Sequence, residues 1–215
     1  MRQSSPEVYT FFDEATNAAC HIVKDPASNA VAIIDSILDY DAAAGRTETT
    51  HADKLIDEIT RNDWQVAWIL ETHVHADHLS AAPYLAEKLG GKIAIGANIT
   101  AVQKVFGKIF NAGTEFEMDG SQFDRLFANG DVFDIGNLNV TVMHTPGHTP
   151  ACVTYVIGDA GGPRVITRNT RTISATPRAA LATASRSRAR KSKGSSKSLS
   201  KRCSPRVVLC PASRR

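Results

Sequence analysis

The stretch Thr72-His73-Val74-His75-Ala76-Asp77-His78 is the most informative part of this 215-residue sequence. It places three histidines and one aspartate within six residues, directly after Val66–Leu70, a short apolar run that is typical of a buried strand. Proteins that alternate strands and helices usually carry their sites at the carboxyl ends of strands. Position and composition together predict a metal site.

The spacing of these residues indicates which of them act together. On an extended backbone alternate side chains point the same way, so His73 and His75 can share one metal. Asp77 and His78 then turn toward a neighbouring position, where a second metal could sit. Imidazole suits zinc and iron, and the Asp77 carboxylate adds a harder ligand or a base. The alternative, surface histidines in a loop, is disfavoured by this density of ligands.

A second segment, Thr145-Pro146-Gly147-His148-Thr149, follows about 70 residues later. Its proline and glycine predict a tight turn after the strand Leu138–Met143, and this turn can hold His148 toward a ligand position. His144, at the end of that strand, is expected either to be structural or to support a ligand residue, and direct metal ligation is a less favoured alternative. Asp35 ends another apolar run and is either an anchor for a histidine N–H or a turn-capping residue. His21 and His51 are not part of any metal-binding pattern in the sequence, so neither is predicted to bind a metal.

The first 158 residues alternate short strands and helices. Turn residues between two apolar runs predict a hairpin, and apolar spacing predicts three helices, the first with Thr49 or Thr50 available as its cap. This pattern favours a layered α/β (α+β) sandwich over a purely parallel, doubly wound sheet. The predicted strands are Cys20–Lys24, Ala30–Asp35, Val66–Leu70, Lys92–Ile95, Asp131–Asp134, Leu138–Met143 and Val153–Ile157, and the predicted helices are Thr49–Asn62, Ser80–Leu89 and Asn98–Phe110.

Charge divides the chain into two parts. Residues 1–159 contain all 22 acidic residues and 10 basic ones, a net charge of −12, whereas residues 160–215 contain 15 basic residues and no acidic one, a net charge of +15. We therefore predict a folded domain at 1–158 and a basic, low-complexity tail at 159–215, which buries too little apolar surface to offset its ordering entropy.

Location is predicted from what the sequence lacks. It shows no signal peptide and no apolar run near the roughly 20 residues of a membrane span. The four cysteines have neither CxxC spacing nor the pattern of a disulfide framework. Reduced thiols and a cytoplasmic location are expected, and a membrane is not expected as a partner.

The two histidine segments resemble the metallo-β-lactamase superfamily, whose motif is HxHxDH followed by a separate histidine. Three stretches, Glu71–Ser80, His144–Thr149 and Cys152–Tyr155, are similar to the persulfide dioxygenases and the bacterial β-lactamase hydrolase-like proteins, with glyoxalase II as a nearby relative. The resemblance covers roughly residues 8–158. It implies an αββα sandwich with the metal at the edge of two sheets.

The resemblance implies two chemistries. Dioxygenase members hold one Fe(II) with two histidines and one aspartate, the histidines matching His73 and His148, and convert glutathione persulfide to sulfite and glutathione. Glyoxalase-like members bind Zn(II), one or two per chain, with His75, Asp77 and His78 also contributing. In that thioester hydrolase, Asp77 orients the attacking group or accepts a proton. A homodimer is a further alternative for the assembly.

The sequence departs from the family after residue 158. The family's aspartate ligand is expected near residues 165–172, which contain no carboxylate, and Gly158-Asp159 comes too early, directly after a strand. No Asp, Glu or His occurs beyond 159. We therefore expect the αββα sandwich to be incomplete in its C-terminal half.

Two interpretations of residues 160–215 remain open. A reading-frame shift in the coding DNA would explain the change in composition. A true basic arm would bind nucleic acid or another acidic surface, although it lacks interleaved aromatic residues, so nucleic acid is not favoured as a partner. For the chain as a whole, the alternative to an active enzyme is a catalytically impaired, truncated product. It would bind metal weakly through His73, His75 and His148, or use its basic tail for binding.

Overall fold

The structure is a computed structural model that describes residues 5–75, 78–113, 116–158 and 164–167, and the backbone of 174–176. Three helices and thirteen strands occur within these residues. In chain order they are β1 (Glu7–Asp13), β2 (Ala18–Lys24), β3 (Ala30–Ile34), β4 (Asp39–Asp41), β5 (Arg46–Glu48), α1 (Thr50–Arg61), β6 (Gln65–Leu70), α2 (Ala82–Leu89), β7 (Lys92–Gly96), α3 (Ile99–Ile109), β8 (Arg125–Phe127), β9 (Val132–Ile135), β10 (Leu138–His144), β11 (Val153–Ile157), β12 (Arg164–Thr167) and β13 (Ser174–Thr176).

The strands form two large sheets and one small hairpin. The first sheet has the order β1-β2-β3-β6-β7-β8. Its first three strands are antiparallel, and β3, β6, β7 and β8 run parallel, so their carboxyl ends meet at one edge. The second sheet has the order β13-β12-β11-β10-β9 and is antiparallel throughout. β4 and β5 pair only with each other.

Two apolar cores lie on opposite faces of the first sheet. On one face, Leu55 and Ile59 of α1 and Leu85 of α2 pack against Ile33 and Ile69. The other face packs against the second sheet through a separate cluster of buried residues. This cluster includes Ile34, Leu70, Phe127, Phe133, Val140 and Tyr155. The observed layers are thus helices, sheet and sheet, which confirms the layered α+β prediction, and no described residue forms a helix on the outer face of the second sheet.

The predicted elements are all present, and most of them begin or end at other residues than predicted. α2 begins at Ala82, two residues later than predicted, because the Ser80 hydroxyl accepts a hydrogen bond from the Ala82 N–H (3.0 Å) and leaves Ser80 outside the helix. Thr49 occupies the N-cap position of α1, as predicted, but its side chain makes no capping hydrogen bond. The Asp39 carboxylate accepts the His51 N–H at 2.8 Å instead.

Six strands were not predicted, and two of them lie beyond residue 158. β12 pairs with β11, and β13 pairs with β12, so the second sheet extends past the predicted boundary. The assignment of 159–215 as a tail stays a prediction, because most of it falls outside the described residues. None of the helices in the described part of the chain is long and apolar enough to cross a membrane.

Candidate metal centre

The histidine-rich stretch begins where β6 ends, at the edge formed by the carboxyl ends of the parallel strands. The parallel register pairs Ile34 with Leu70, and this pairing sets Asp35 beside the start of the loop after β6. Asp35 has a positive φ of 54°, a conformation that is uncommon for residues other than glycine. Its carboxylate accepts the Thr72 N–H at 2.7 Å, a contact that helps to offset this backbone strain.

Four imidazole rings converge at this edge. The ring centroids of His73 and His75 are 4.0 Å apart, and those of His75 and His78 are 4.1 Å apart. His148, from the second segment, stands edge-on to His73 with centroids 5.0 Å apart. Segments about 70 residues apart in sequence therefore bring their imidazoles into one cluster.

The hydroxyl of Thr72 determines which nitrogen of His73 carries the proton. It donates its only hydrogen to Asp35 Oδ2 at 2.8 Å, so its 2.9 Å contact with His73 must be donated by Nδ1. The contact places a proton on Nδ1 of His73, so Nε2 is the nitrogen that could bind a metal. Thr72 is fully buried, so solvent does not compete for its hydroxyl.

His75 is held by two carboxylates. Its Nε2 lies 3.1 Å from Asp35 Oδ1 and 3.3 Å from Glu71 Oε2. Burial alone would lower the pKa of His75, but the negative charge of Asp35 and hydrogen bonds to both carboxylates raise that pKa to about 10.

The pKa values of the two carboxylates are shifted in opposite directions. Burial would raise the pKa of Asp35, but His75 and the two Thr72 hydrogen bonds lower it to about 2. The pKa of Glu71 is raised, first because the side chain is buried and then because the Asp35 charge lies nearby. Ser80 donates a hydrogen bond to Glu71 Oε1 at 2.5 Å and fixes this carboxylate in place.

The second segment is attached to the first by a backbone hydrogen bond. The Val153 N–H, at the start of β11, donates to the Thr72 carbonyl at 2.9 Å. The turn that carries His148 is closed by a hydrogen bond from the Thr145 N–H to the Cys152 carbonyl, also 2.9 Å. The exposed His148 ring is thus carried beside the buried ring of His73.

The remaining predicted residues have different surroundings. Asp77 lies outside the described residues. Asp35 takes the role of an anchor for a histidine nitrogen, one of its two predicted roles. The Nε2 of His144 lies 2.7 Å from the Pro150 carbonyl, in agreement with a structural role. His21 hydrogen-bonds Thr10, and His51 lies in α1, so neither joins the cluster.

The sequence did not predict the contributions of Glu71, Thr72 and Tyr155. Tyr155 is fully buried in β11 and donates its hydroxyl hydrogen to the Glu71 carbonyl at 3.0 Å. The available signal was the position of Glu71 and Thr72 between a buried strand and the first histidine. Polar side chains beside a metal-binding histidine often form hydrogen bonds that fix the orientation of the ring.

The side chains present fit a metal ion. Imidazole ligands need one nitrogen for the metal and a partner that holds the ring, and carboxylates are common partners. Thr72 supplies that partner for His73, and Asp35 and Glu71 supply it for His75. Ligand atoms of Asp35, Glu71 and His75 lie within 4.8 Å of one another, so the two carboxylates are close enough to hold the His75 ring beside a metal. The described part of the expected aspartate region, residues 164–167, has no carboxylate.

Comparison with known proteins connects this site to a family. The model of the metallo-beta-lactamase superfamily matches residues 16–191. A protein of Burkholderia pseudomallei named "probable metallo-hydrolase" is 57% identical over 70% of this chain and 51% of its own length. Glyoxylase B2 of Dictyostelium discoideum is 49% identical over 70% of this chain and 51% of its own length.

Among solved structures, ETHE1 from Myxococcus xanthus shares the fold, with a TM-score of 0.54 and 22% identity over 71% of this chain and 54% of that one. This chain spans about half the length of the curated relatives described above. The match of the family model over most of the chain, together with the convergence of the histidines that carry the family's motif, shows that the chain belongs to the metallo-beta-lactamase superfamily.

Proposed function

We propose that the imidazole cluster is a metal centre, with His73, His75 and His148 as ligands and Asp77 and His78 serving a neighbouring position. The observation that supports this most directly is the convergence of imidazoles from two distant segments onto one sheet edge. A bound metal would supply a Lewis acid and, if it is iron, redox chemistry.

The proposed activity is that of a glutathione persulfide dioxygenase with one Fe(II) per chain, acting on a thiol-derived small molecule. The sequence resemblance to persulfide dioxygenases supports this choice. Thr72 and Asp35 would hold His73 and His75 in place while the substrate binds. In the thioester hydrolase considered next, Asp77 would orient the attacking group or accept a proton.

Hydrolysis of a glutathione thioester is the alternative, with one or two Zn(II) per chain. It is favoured by the names of two relatives, a metallo-hydrolase and a glyoxylase. Iron content and oxygen consumption with glutathione persulfide distinguish the two activities, because a thioester hydrolase releases the thiol without consuming oxygen. Weak metal binding with neither activity would support the interpretation that the chain is a catalytically impaired product.

Metal analysis of the purified full chain tests the centre itself. We expect the wild type to bind iron or zinc, and we expect His73→Ala and His148→Ala each to weaken binding at least 10-fold, because each removes a ligand. His51→Gln is the matched control, since it replaces a buried histidine outside the cluster. Equal metal binding by all four proteins would show that the cluster is not the site.

A further inference from the structure

The turn that carries His148 is bridged by the side chain of the residue before it. His144 is the last residue of β10 and lies four positions before His148. Its Nε2 is 2.7 Å from the carbonyl oxygen of Pro150, two positions after His148. A carbonyl oxygen can only accept a hydrogen bond, so Nε2 carries the proton and donates it. The half-buried ring of His144 therefore connects the start of the turn to its later part.

A second side chain reaches the same nitrogen from the first sheet. Asn98 follows β7 and occupies the N-cap position of α3, yet its side chain makes no capping hydrogen bond. The tip of its amide lies 2.9 Å from Nε2 of His144 instead. Because that nitrogen carries a proton, the amide atom facing it is the oxygen, since an amide nitrogen would set two donors against each other. Asn98 thus accepts from His144 rather than from its own helix, the usual role of an N-cap asparagine.

These contacts lie beside the imidazole cluster. In the pairing of β10 with β11, His144 is opposite Val153, whose N–H donates to the Thr72 carbonyl next to His73. The ring of His148 is exposed, and its centroid is 5.0 Å from that of His73. An exposed ring is held less by packing than by the backbone that carries it. The conformation of the turn therefore determines whether His148 stands beside His73.

We propose that His144 is a positioning residue for His148. Its Nε2–H, shared between the Pro150 carbonyl and the Asn98 amide oxygen, fixes the turn in the conformation that brings the His148 ring to the metal centre. His144 acts through the turn and not as a ligand. The inference rests on the proposed function, because it takes His148 as a metal ligand.

Two substitutions of His144 separate the donor from the ring. His144→Phe keeps a ring and removes the N–H, whereas His144→Gln keeps an amide N–H near the position of Nε2. Calorimetric titration of the metal-free full chain with Zn(II) measures the Kd of each variant. We expect His144→Phe to weaken binding by about 2- to 10-fold, the effect of one hydrogen bond, and His144→Gln to bind like the wild type. Unchanged binding in the phenylalanine variant, or equal losses in both, would overturn the inference.

The matched control is His21→Phe, which removes a hydrogen-bonded histidine of the first sheet outside the cluster and should leave the Kd unchanged. The same His144→Phe change in a His148→Ala background shows whether His144 acts through His148. We expect His148→Ala to weaken binding about 10-fold or more and the second substitution to add nothing, because no ring remains to be positioned. A further loss as large as in the wild-type background would show a merely structural role and overturn the inference.

Variants of Asn98 test the same contact at an exposed position, where folding is least at risk. Asn98→Asp keeps an acceptor and should bind Zn(II) at least as tightly as the wild type, whereas Asn98→Leu should bind about 2- to 10-fold more weakly. The opposite order would contradict the proposed contact. If His148→Ala leaves binding unchanged, the proposed metal centre fails and the inference fails with it. A loss in His148→Ala with none in His144→Phe and Asn98→Leu overturns the inference alone.

Discussion

Asp25 joins the two sheets at the end of the molecule that follows β2, and replacing it should destabilise the protein strongly. Within its own turn the carboxylate accepts the Ala27 N–H at 2.9 Å and the Ser28 hydroxyl at 2.6 Å. From the turn between β9 and β10 it accepts both the backbone N–H and the side-chain amide of Asn137, each at 2.8 Å. Asp25 is 1% exposed, so water cannot replace these four donors.

The magnitude follows from these contacts. A hydrogen bond to a charged group contributes about 1.5–3 kcal/mol, and bonds that share one carboxylate are not additive. The two bonds within the turn are local, whereas the two bonds to Asn137 close a contact over 112 residues. We therefore expect Asp25→Ala to lower the free energy of unfolding by about 2–4 kcal/mol, with a somewhat smaller loss for Asp25→Asn.

The loss of stability in the Asp25 variants should also depend on pH in a defined direction. Burial raises the pKa of Asp25, but the hydrogen bonds from Ser28, Asn137 and Ala27 outweigh it and lower the pKa from its ordinary value of 3.8. A lowered folded-state pKa means that the contribution is complete above the unfolded-state pKa and is lost as the pH falls through the folded-state pKa. The gap between wild type and Asp25→Asn should be constant from about pH 6 to 8 and should narrow below about pH 4.

Urea unfolding followed by tryptophan fluorescence measures this gap at each pH. Asp57→Asn, on the exposed face of α1, is the control that removes one carboxylate without breaking a link between the sheets. The reasoning would be refuted if Asp25→Asn unfolded like the control at neutral pH, or if its gap to the wild type stayed constant into acid.

Three further predictions concern the centre and the meeting point of the sheets. Thr72→Val removes the hydroxyl that holds His73 and should weaken metal binding about 10-fold by calorimetric titration, with Thr72→Ser restoring it; unchanged binding in the valine variant would rule out the orienting role. Gly96→Ala would place a Cβ 2.5 Å from Val153 Cγ1 and should cost about 1–3 kcal/mol in urea unfolding, while Gly113→Ala, where the Cβ meets open space, should be near neutral. Zinc or iron at about 100 times its Kd should stabilise the chain by about 2.7 kcal/mol, reversibly with EDTA, and an unchanged melting temperature would argue against a site in the folded state.

Elements with a strong local pattern could be predicted from the sequence, and elements that depend on a partner could not. Val153–Ile157 consists entirely of β-branched and aromatic residues and is followed by Gly158, and its predicted limits are those of β11. β1 has exposed and half-buried residues throughout and lies at the sheet edge, so its sequence has no strong apolar signal. β8 is three residues long, and its pairing with β7 is what makes it a strand.

The candidate site divides in the same way. His73, His75 and His78 are neighbours in sequence, so one motif predicted their proximity. The contact between Asp35 and His75 depends on the parallel pairing of β3 with β6, which no local pattern reveals. The contribution of Tyr155 was not predicted either, because its hydrogen bond to the Glu71 carbonyl joins residues 84 positions apart in sequence.

The two sheets contribute unequally to the centre, and this inequality couples metal binding to folding. The first sheet supplies the side chains that hold His73 and His75, because Asp35, Glu71 and Thr72 all follow its parallel strands. His148 arrives only when β11 is docked, since the Val153 N–H bonds the Thr72 carbonyl beside His73. A metal that binds His148 therefore stabilises the packing of the second sheet on the first. A substitution that loosens β11 should weaken metal binding before it disturbs the first sheet.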